Sequence, residues 1–142
     1  MAEIKTGLKG KDEMVVQREH LASTIGNTGA EVLSTHWVVL LMEKAARNAV
    51  NGLLPAGMIT VGTMISIRHF AATPLGLKVT AEALLKKIEG RKLTFRVTVR
   101  DEFERIAEGA NEQMIVPMGG FLGKVKKKCD RMSEVNPLSE SA

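Results

Sequence analysis

Residues 34–46, STHWVVLLMEKAA, decide the fold of this 142-residue chain. From Trp37 to Met42 the segment is apolar without a break, and the residues around it favour helix. A single polar stripe at helical spacing consists of Lys44, Arg47, Asn48 and Asn51. The pattern predicts a helix over about 36–51 that ends at Gly52. Because such a helix is apolar on most of its surface, other elements must cover it on most sides.

Downstream of this helix, apolar residues recur at every second position, which is the period of a β-strand. Four strands are predicted, at about 61–69, 77–85, 93–99 and 103–116. In the first of them, the odd positions from Val61 to His69 alternate with even positions that include Gly62. Turn signals at Pro74, Glu89-Gly90 and Asp101-Glu102 separate the strands, and such short connections join antiparallel neighbours.

The segment before the helix is less regular. Residues 1–12 are predicted to be a flexible N-terminus, and VVQREHLAS, from Val15, to be a short strand followed by a Gly-containing loop. We expect the folded domain to span 13–120 and a basic C-terminal tail to span 121–142, with its end, SEVNPLSESA, disordered.

This order of elements predicts an α+β fold in which one antiparallel sheet wraps around a long central helix. That arrangement is the hot-dog fold. A monomer of this kind leaves one sheet edge open, so we expect a homodimer, or a tetramer built from dimers.

Composition excludes several classes of function. The hydrophobic share of 44% and the charged share of 25% are ordinary for a soluble globular protein. The net charge of +4 is concentrated in Lys124, Lys126, Lys127 and Lys128, and the chain has only four Phe, one Trp and no Tyr to stack on bases. We therefore expect no nucleic acid partner, and a phosphate-bearing small ligand fits a local basic run at least as well.

Other absences point to a cytoplasmic protein without a metal. Cys129 is the single cysteine, so no internal disulfide forms, as expected in a reducing compartment. No signal peptide or apolar run long enough to span a membrane is evident. No group of His, Asp and Cys has the spacing of metal ligands.

Thr35, Glu43 and His69 are the candidate functional residues. A carboxylate and an imidazole in apolar runs are costly unless they are paired or used in chemistry. Each also has a plain structural interpretation. Thr35 would be only the N-cap of the helix, Glu43 would pair with Arg47 one turn later, and His69 would be a satisfied core histidine.

Residues 60–76, TVGTMISIRHFAATPLG, and 77–97, LKVTAEALLKKIEGRKLTFRV, resemble the fluoroacetyl-CoA thioesterase-like family of hot-dog proteins. Residues 34–46 resemble the helix entry of the same family, and the similarity extends over about 15–116. The resemblance implies hydrolysis of an acyl-CoA thioester, with no cofactor other than that substrate.

The resemblance also implies a set of site residues. A Thr at the helix entry, a Glu in the helix and a His in the strand form the catalytic set of the family, and they match Thr35, Glu43 and His69. A backbone amide in the thioester pocket matches Gly62. Apart from the resemblance, His36 directly follows Thr35 and would either line the mouth of that pocket or lie on the surface. The resemblance places these sites near the dimer interface.

The chemistry of a thioester suggests roles for these residues. The carbonyl needs a nucleophile and a stabiliser for its oxyanion, whereas the thiolate leaves easily. Glu43 would act either as a general base on water or as the nucleophile itself, forming an anhydride, and the sequence leaves both open. His69 would orient Glu43 or water, or protonate the sulfur. Thr35 would hold the carboxylate or bind substrate.

The chain departs from the family pattern in two places. Residues 26–34, GNTGAEVLS, contain no Phe, whereas fluoroacetyl-active members carry aromatic residues in that lid region, so the acyl preference stays open. Asn111 stands where the family commonly has a His before Glu-Arg.

Two other functions are compatible with the predicted fold. A non-catalytic domain would bind or sense acyl-CoA in the same cleft without turnover. An acyl-CoA hydratase would require an Asp/His pair in a hydratase-like motif, which the chain lacks.

Overall fold

The computed structural model describes residues 3–135 and contains one five-stranded antiparallel sheet, in the order β1-β3-β4-β5-β2, that curls around a central helix. The elements are β1 (Lys9–Val15), α1 (Thr35–Val50), β2 (Met58–His69), β3 (Lys78–Glu89), β4 (Lys92–Arg100), β5 (Arg105–Pro117) and α2 (Met118–Val135). The predicted hot-dog arrangement of one sheet around one helix is confirmed.

The core lies between α1 and the concave face of the sheet. The buried residues of α1 are Val38, Leu41, Met42, Ala45, Ala46, Ala49 and Val50. They meet the inward positions of β3 and β4, which are Val79, Ala81, Ala83, Leu85, Leu93, Phe95, Val97 and Val99. These inward positions are the apolar members of the alternating runs, so the strand period predicted from the sequence is the period of burial.

Gly10 allows β1 to approach α1 closely. A Cβ atom at this position would clash with the backbone of the helix, at the carbonyl oxygen of Ala45 and the amide nitrogen of Ala49. Only a residue without a side chain permits this packing distance.

The predictions for the N-terminal segment are wrong in part. β1 begins at Lys9 and pairs with β3, from Lys9 opposite Leu84 to Val15 opposite Lys78, so residues 9–12 belong to the sheet. The predicted strand after Val15 is replaced by two 3₁₀ turns, Arg18–His20 and Ala22–Ile25. The sequence gives little sign of β1 because its inward positions are Gly10, Asp12 and Met14 rather than an apolar alternation.

The basic C-terminal segment forms a helix, which the prediction of a tail did not anticipate. No residue of α2 is buried, although Met118, Leu122, Val125 and Met132 recur at helical spacing on one side. Its first amide is anchored by a 2.9 Å hydrogen bond from Met118 N–H to the Gly57 carbonyl. Neither α1 nor α2 is long and apolar enough to cross a membrane. The end of the chain, SEVNPLSESA, was expected to be disordered. Its first three residues, Ser133–Val135, are helical, and the others lie outside the described part of the chain.

A β-bulge in β2 decides which residues face α1. Opposite β5, Gly62 pairs with Gln113 and Met64 with Glu112, so Thr63 is one extra residue. Gly62 and His69 are seven positions apart and would face opposite sides of a regular strand, as the sequence alternation predicted. Because the bulge shifts the alternation by one residue, both face the helix.

The segment that follows His69 is held by a buried polar contact. The Thr73 hydroxyl donates to Asp101 at 2.9 Å, and the Leu33 amide donates to the Thr73 carbonyl at 2.8 Å. Asp101 also accepts from the amides of Phe103 and Glu104, at 2.8 and 3.0 Å, which forms the predicted turn. Burial acts to raise the pKa of Asp101, but these donors outweigh it and hold the pKa below 3.8.

We expect Gly10→Ala to lower the free energy of unfolding by about 1–3 kcal/mol, because the new methyl group must displace the α1 backbone. Gly123→Ala in α2 is the matched control, since a Cβ there meets nothing within 4 Å. Urea unfolding measures both variants. A Gly10→Ala protein as stable as the wild type would contradict the close contact between β1 and α1.

Candidate functional site

Thr35 and His69 are in direct contact across the helix–sheet interface. Thr35 is the first residue of α1 and His69 the last residue of β2, and Thr35 Oγ1 lies 2.9 Å from His69 Nδ1. Ser34, not Thr35, is the N-cap residue, so the purely structural interpretation of Thr35 as a helix cap is wrong. The hydroxyl group is used to hold the imidazole instead.

The environment of His69 favours the neutral ring. Burial lowers its pKa below the usual value of 6.5, and the backbone carbonyl of Ala71 acts more weakly in the opposite direction. The second ring nitrogen, Nε2, is buried and has no hydrogen-bond partner within residues 3–135. The ring therefore has one nitrogen held by Thr35 and one left for another group.

An open cavity of about 300 Å³ adjoins the Thr35–His69 pair. Its other lining residues come from the loop before α1 and the segment after β2, and they are Ala22, Asn27, Val32, Leu33, Ser34, Phe70, Ala71 and Ala72. Polar atoms make up more of the exposed lining than apolar atoms do, and the cavity offers space beside the imidazole.

Glu43 and Gly62 form a second contact between α1 and β2. A Cβ atom at Gly62 would lie 3.1 Å from Glu43 Oε2, so the carboxylate stands directly over the glycine. Glu43 and Arg47, both in the described part of the chain, do not form the ion pair that was the alternative interpretation. The neighbouring Lys44 pairs with Asp12 at 3.4 Å. The half-buried Glu43 side chain is thus directed at β2.

The two contacts lie at different levels of the same interface. Eight residues separate Thr35 from Glu43, which corresponds to about 12 Å along a helix axis. Helical side chains lean toward the N-terminus, so Glu43 leans toward the Thr35 end. Within the described chain, no hydrogen bond joins the Glu43 carboxylate to Thr35 or His69. We call Thr35, Glu43, Gly62 and His69 the α1–β2 site.

The sequence did not single out Gln113, and it marked Asn111 only as a departure from a family pattern. Both residues are 1% exposed on the inward face of β5. Gln113 Nε2 donates to Asn111 Oδ1 at 2.7 Å and to the backbone carbonyl of Glu43 at 3.4 Å. Asn111 Nδ2 donates to the Met64 carbonyl at 2.9 Å, which links this pair to the bulge. The sequence does contain a sign of this pair, because Asn111 and Gln113 are two amide residues at alternate positions of an otherwise apolar strand face.

His36 lies apart from the other candidates. Its side chain is exposed, its Nδ1 lies 2.9 Å from Ser34 Oγ, and its ring contacts Trp37. It does not line the cavity beside His69. Among residues 3–135, no group of three or more His, Cys, Asp or Glu side chains is placed to hold a metal ion.

The chain is similar to fluoroacetyl-CoA thioesterases over most of its length. Residues 16–119 match the family model described as fluoroacetyl-CoA-specific thioesterase. The fluoroacetyl-CoA thioesterase of Streptantibioticus cattleyicolor is 40% identical over 98 residues, which are 69% of this chain and 70% of that protein.

Solved structures share the fold as well. A variant of fluoroacetyl-CoA thioesterase in complex with acetyl-CoA has a TM-score of 0.81 at 31% identity, covering 88% of this chain and 98% of that one. A thioesterase superfamily member from Thermus thermophilus has a TM-score of 0.88 at 28% identity, covering 94% and 99% of the two chains. The family resemblance predicted from the sequence is confirmed.

We expect the imidazole of His69 to titrate below pH 6.5 in the folded protein, because burial disfavours the charged ring. The unfolded chain then binds the proton more readily, so the stability contributed by neutral His69 is complete above pH 6.5 and falls as the pH drops below it. NMR titration of the ring measures the midpoint, and urea unfolding of His69→Asn should show a weaker loss of stability toward pH 5. A midpoint above 6.5 would contradict the burial of the ring.

Proposed function

Because this chain belongs to the fluoroacetyl-CoA-specific thioesterase family and is a thioester hydrolase, we propose that it cleaves acyl-CoA at the α1–β2 site. The products are a free acid and CoA. The observation that carries this proposal is the pair of contacts, Thr35 with His69 and Glu43 with Gly62, on the facing sides of one helix and one strand. The acetyl-CoA bound to a structural relative supports the class of substrate.

In this proposal Glu43 brings about the attack on the thioester carbonyl, by one of two routes. As a general base it removes a proton from water while the water oxygen bonds to the carbonyl carbon. As a nucleophile it attacks the same carbon and forms an anhydride that water then hydrolyses. In both routes the C–S bond breaks and CoA leaves as a thiolate that takes up one proton.

Gly62 and His69 stabilise the charges that develop. The bare backbone at Gly62 lets the thioester carbonyl approach the strand, where the amide N–H would donate to the oxyanion. For the neutral His69 ring, a Thr35 hydroxyl that donates to Nδ1 leaves the proton on Nε2. That proton is available to a bound acyl-CoA, which would satisfy a ring nitrogen that is otherwise unpaired.

The free edge of β2 supports assembly into a homodimer. β2 is the last strand in the sheet order, it is 12 residues long, and Met64 and Ile65 are each 36% exposed. An exposed edge of this length invites pairing with a second copy, and the α1–β2 site would then lie near the interface. Sedimentation should give twice the 15.4 kDa chain mass, and a fully active monomer would contradict this assembly.

The remaining features follow from the same proposal. The reaction needs no cofactor beyond the CoA thioester, and no nucleic acid takes part. The exposed free thiol of Cys129 fits a reducing cytoplasm, where we place the protein.

We expect release of CoA thiol from a panel of acyl-CoAs by the wild-type protein, and a fall of about 10²- to 10⁴-fold in kcat for Glu43→Gln and His69→Ala. Arg47→Gln is the matched control, because Arg47 is exposed on the same helix and should leave kcat within about twofold, as for other solvent-exposed surface substitutions.

Two outcomes would count against the proposal. Equal turnover by all four proteins would refute the assignment of the site. Tight binding of acyl-CoA without any turnover, measured by calorimetry, would favour the non-catalytic binding or sensing function.

A further inference from the structure

Gln113 has a side-chain oxygen for which the fold provides no partner. The residue is 1% exposed, and Oε1 accepts no hydrogen bond within residues 3–135. The orientation of the amide follows from its surroundings, because Nε2 faces two acceptors, Asn111 Oδ1 and the Glu43 carbonyl. A rotated amide would place oxygen against oxygen. The unpaired atom is therefore a hydrogen-bond acceptor.

This oxygen belongs to the strand beside the Glu43–Gly62 contact. Gln113 is the register partner of Gly62 in the β2–β5 pairing, and partners of this kind lie about 4.5–5.5 Å apart at their Cα atoms. The Glu43 carboxylate stands over the same glycine from the helix side. Directly opposite residues carry their side chains on the same face of a sheet, so the Gln113 side chain and the Glu43 carboxylate lie on the same side of the β2–β5 pair, where Gly62 contributes no side chain.

Two acceptors on the same side of one strand pair match the needs of an attacking water. Water has two hydrogen atoms, and a carboxylate and an amide oxygen accept one each. With both hydrogens held, the direction of a lone pair is fixed, and it can face a carbonyl carbon bound at Gly62. A single acceptor would leave the water free to rotate about one hydrogen bond.

We propose that Gln113 holds the attacking water together with Glu43, with Gln113 Oε1 accepting one of its hydrogen bonds. The inference rests on the proposed role of Glu43 and deepens it. The water oxygen bonds to the acyl carbon, its proton passes to the Glu43 carboxylate, and the C–S bond breaks as CoA leaves. In the anhydride route, water held by Gln113 Oε1 attacks the acyl carbon carried on Glu43, the anhydride C–O bond breaks, and the Glu43 carboxylate that leaves takes up the proton of the water.

Asn111 gives Gln113 its fixed position. It accepts from Gln113 Nε2 through one side-chain atom and donates to the Met64 carbonyl through the other. The bulge that turns Gly62 toward the helix is therefore tied, through Asn111, to the residue opposite Gly62 in the β2–β5 pairing.

The test uses Gln113→Met, which keeps a similar volume and removes the acceptor. We expect kcat for hydrolysis to fall by about 10- to 100-fold, the effect of one lost hydrogen bond in the transition state, with KM changed less than about threefold. Added hydroxylamine competes with water for the acyl group and does not depend on the two acceptors. The ratio of hydroxamate to free acid should therefore rise by the same factor as hydrolysis falls.

Gln113→Asn is the second variant, in case the Met protein does not fold. It keeps an amide and withdraws the oxygen by one methylene length, so the product ratio should shift in the same direction by a smaller factor. Circular dichroism and urea unfolding check that each variant is folded before its products are compared.

Three results would overturn the role of Gln113. A raised KM with unchanged kcat would place the amide against the substrate instead of the water. An equal loss of hydrolysis and hydroxylaminolysis would show that the substitution damages the structure of the site. Unchanged kinetics would show that Gln113 has no role in the reaction. The wild-type and Glu43→Gln proteins separate these results from a failure of the proposed function, since loss of turnover in Glu43→Gln supports that function whatever Gln113 does.

Discussion

Burial of α1 is the constraint on which the structure depends. Seven of its sixteen residues are buried, and they occupy more than one side of the helix. No single neighbouring helix covers such a surface, whereas a twisted sheet that curls around the helix does. The small residues at the closest approach, Ala45 and Ala49 of α1 against Gly10 of β1, allow the sheet to follow the helix at short distance.

The same constraint creates the site. The Glu43 carboxylate borders the covered side of the helix and lies against Gly62 of the edge strand β2. The helix entry meets the other end of β2, where Thr35 holds His69. The bulge at Thr63 is what makes the two contacts compatible, because it brings Gly62 and His69 to the same face of one strand.

Much of this could be predicted from local sequence patterns. The apolar run of α1 and the strand alternation after Pro55 determine the fold class, and isolated polar groups in those runs mark Thr35, Glu43 and His69. The sequence does not locate β1 correctly, because the inward positions of this strand are not an apolar alternation. It does not indicate α2, because the few apolar residues of this helix are interspersed with lysines.

The features of the site that the sequence did not predict depend on pairing between distant segments. A bulge depends on the register between β2 and β5, which alternation along β2 alone does not contain. The importance of Gln113 appears only when that register places it opposite Gly62 with its amide oxygen unpaired.

The most direct test of the account is a crystal structure of the protein with a stable analogue of acetyl-CoA in which a methylene group replaces the sulfur. We expect the ketone carbon over Gly62, within about 3–3.5 Å of Glu43 Oε2 or of a water held by it. A fully occupied analogue whose ketone lies outside the α1–β2 site, with Glu43 and His69 remote from it, would contradict the account.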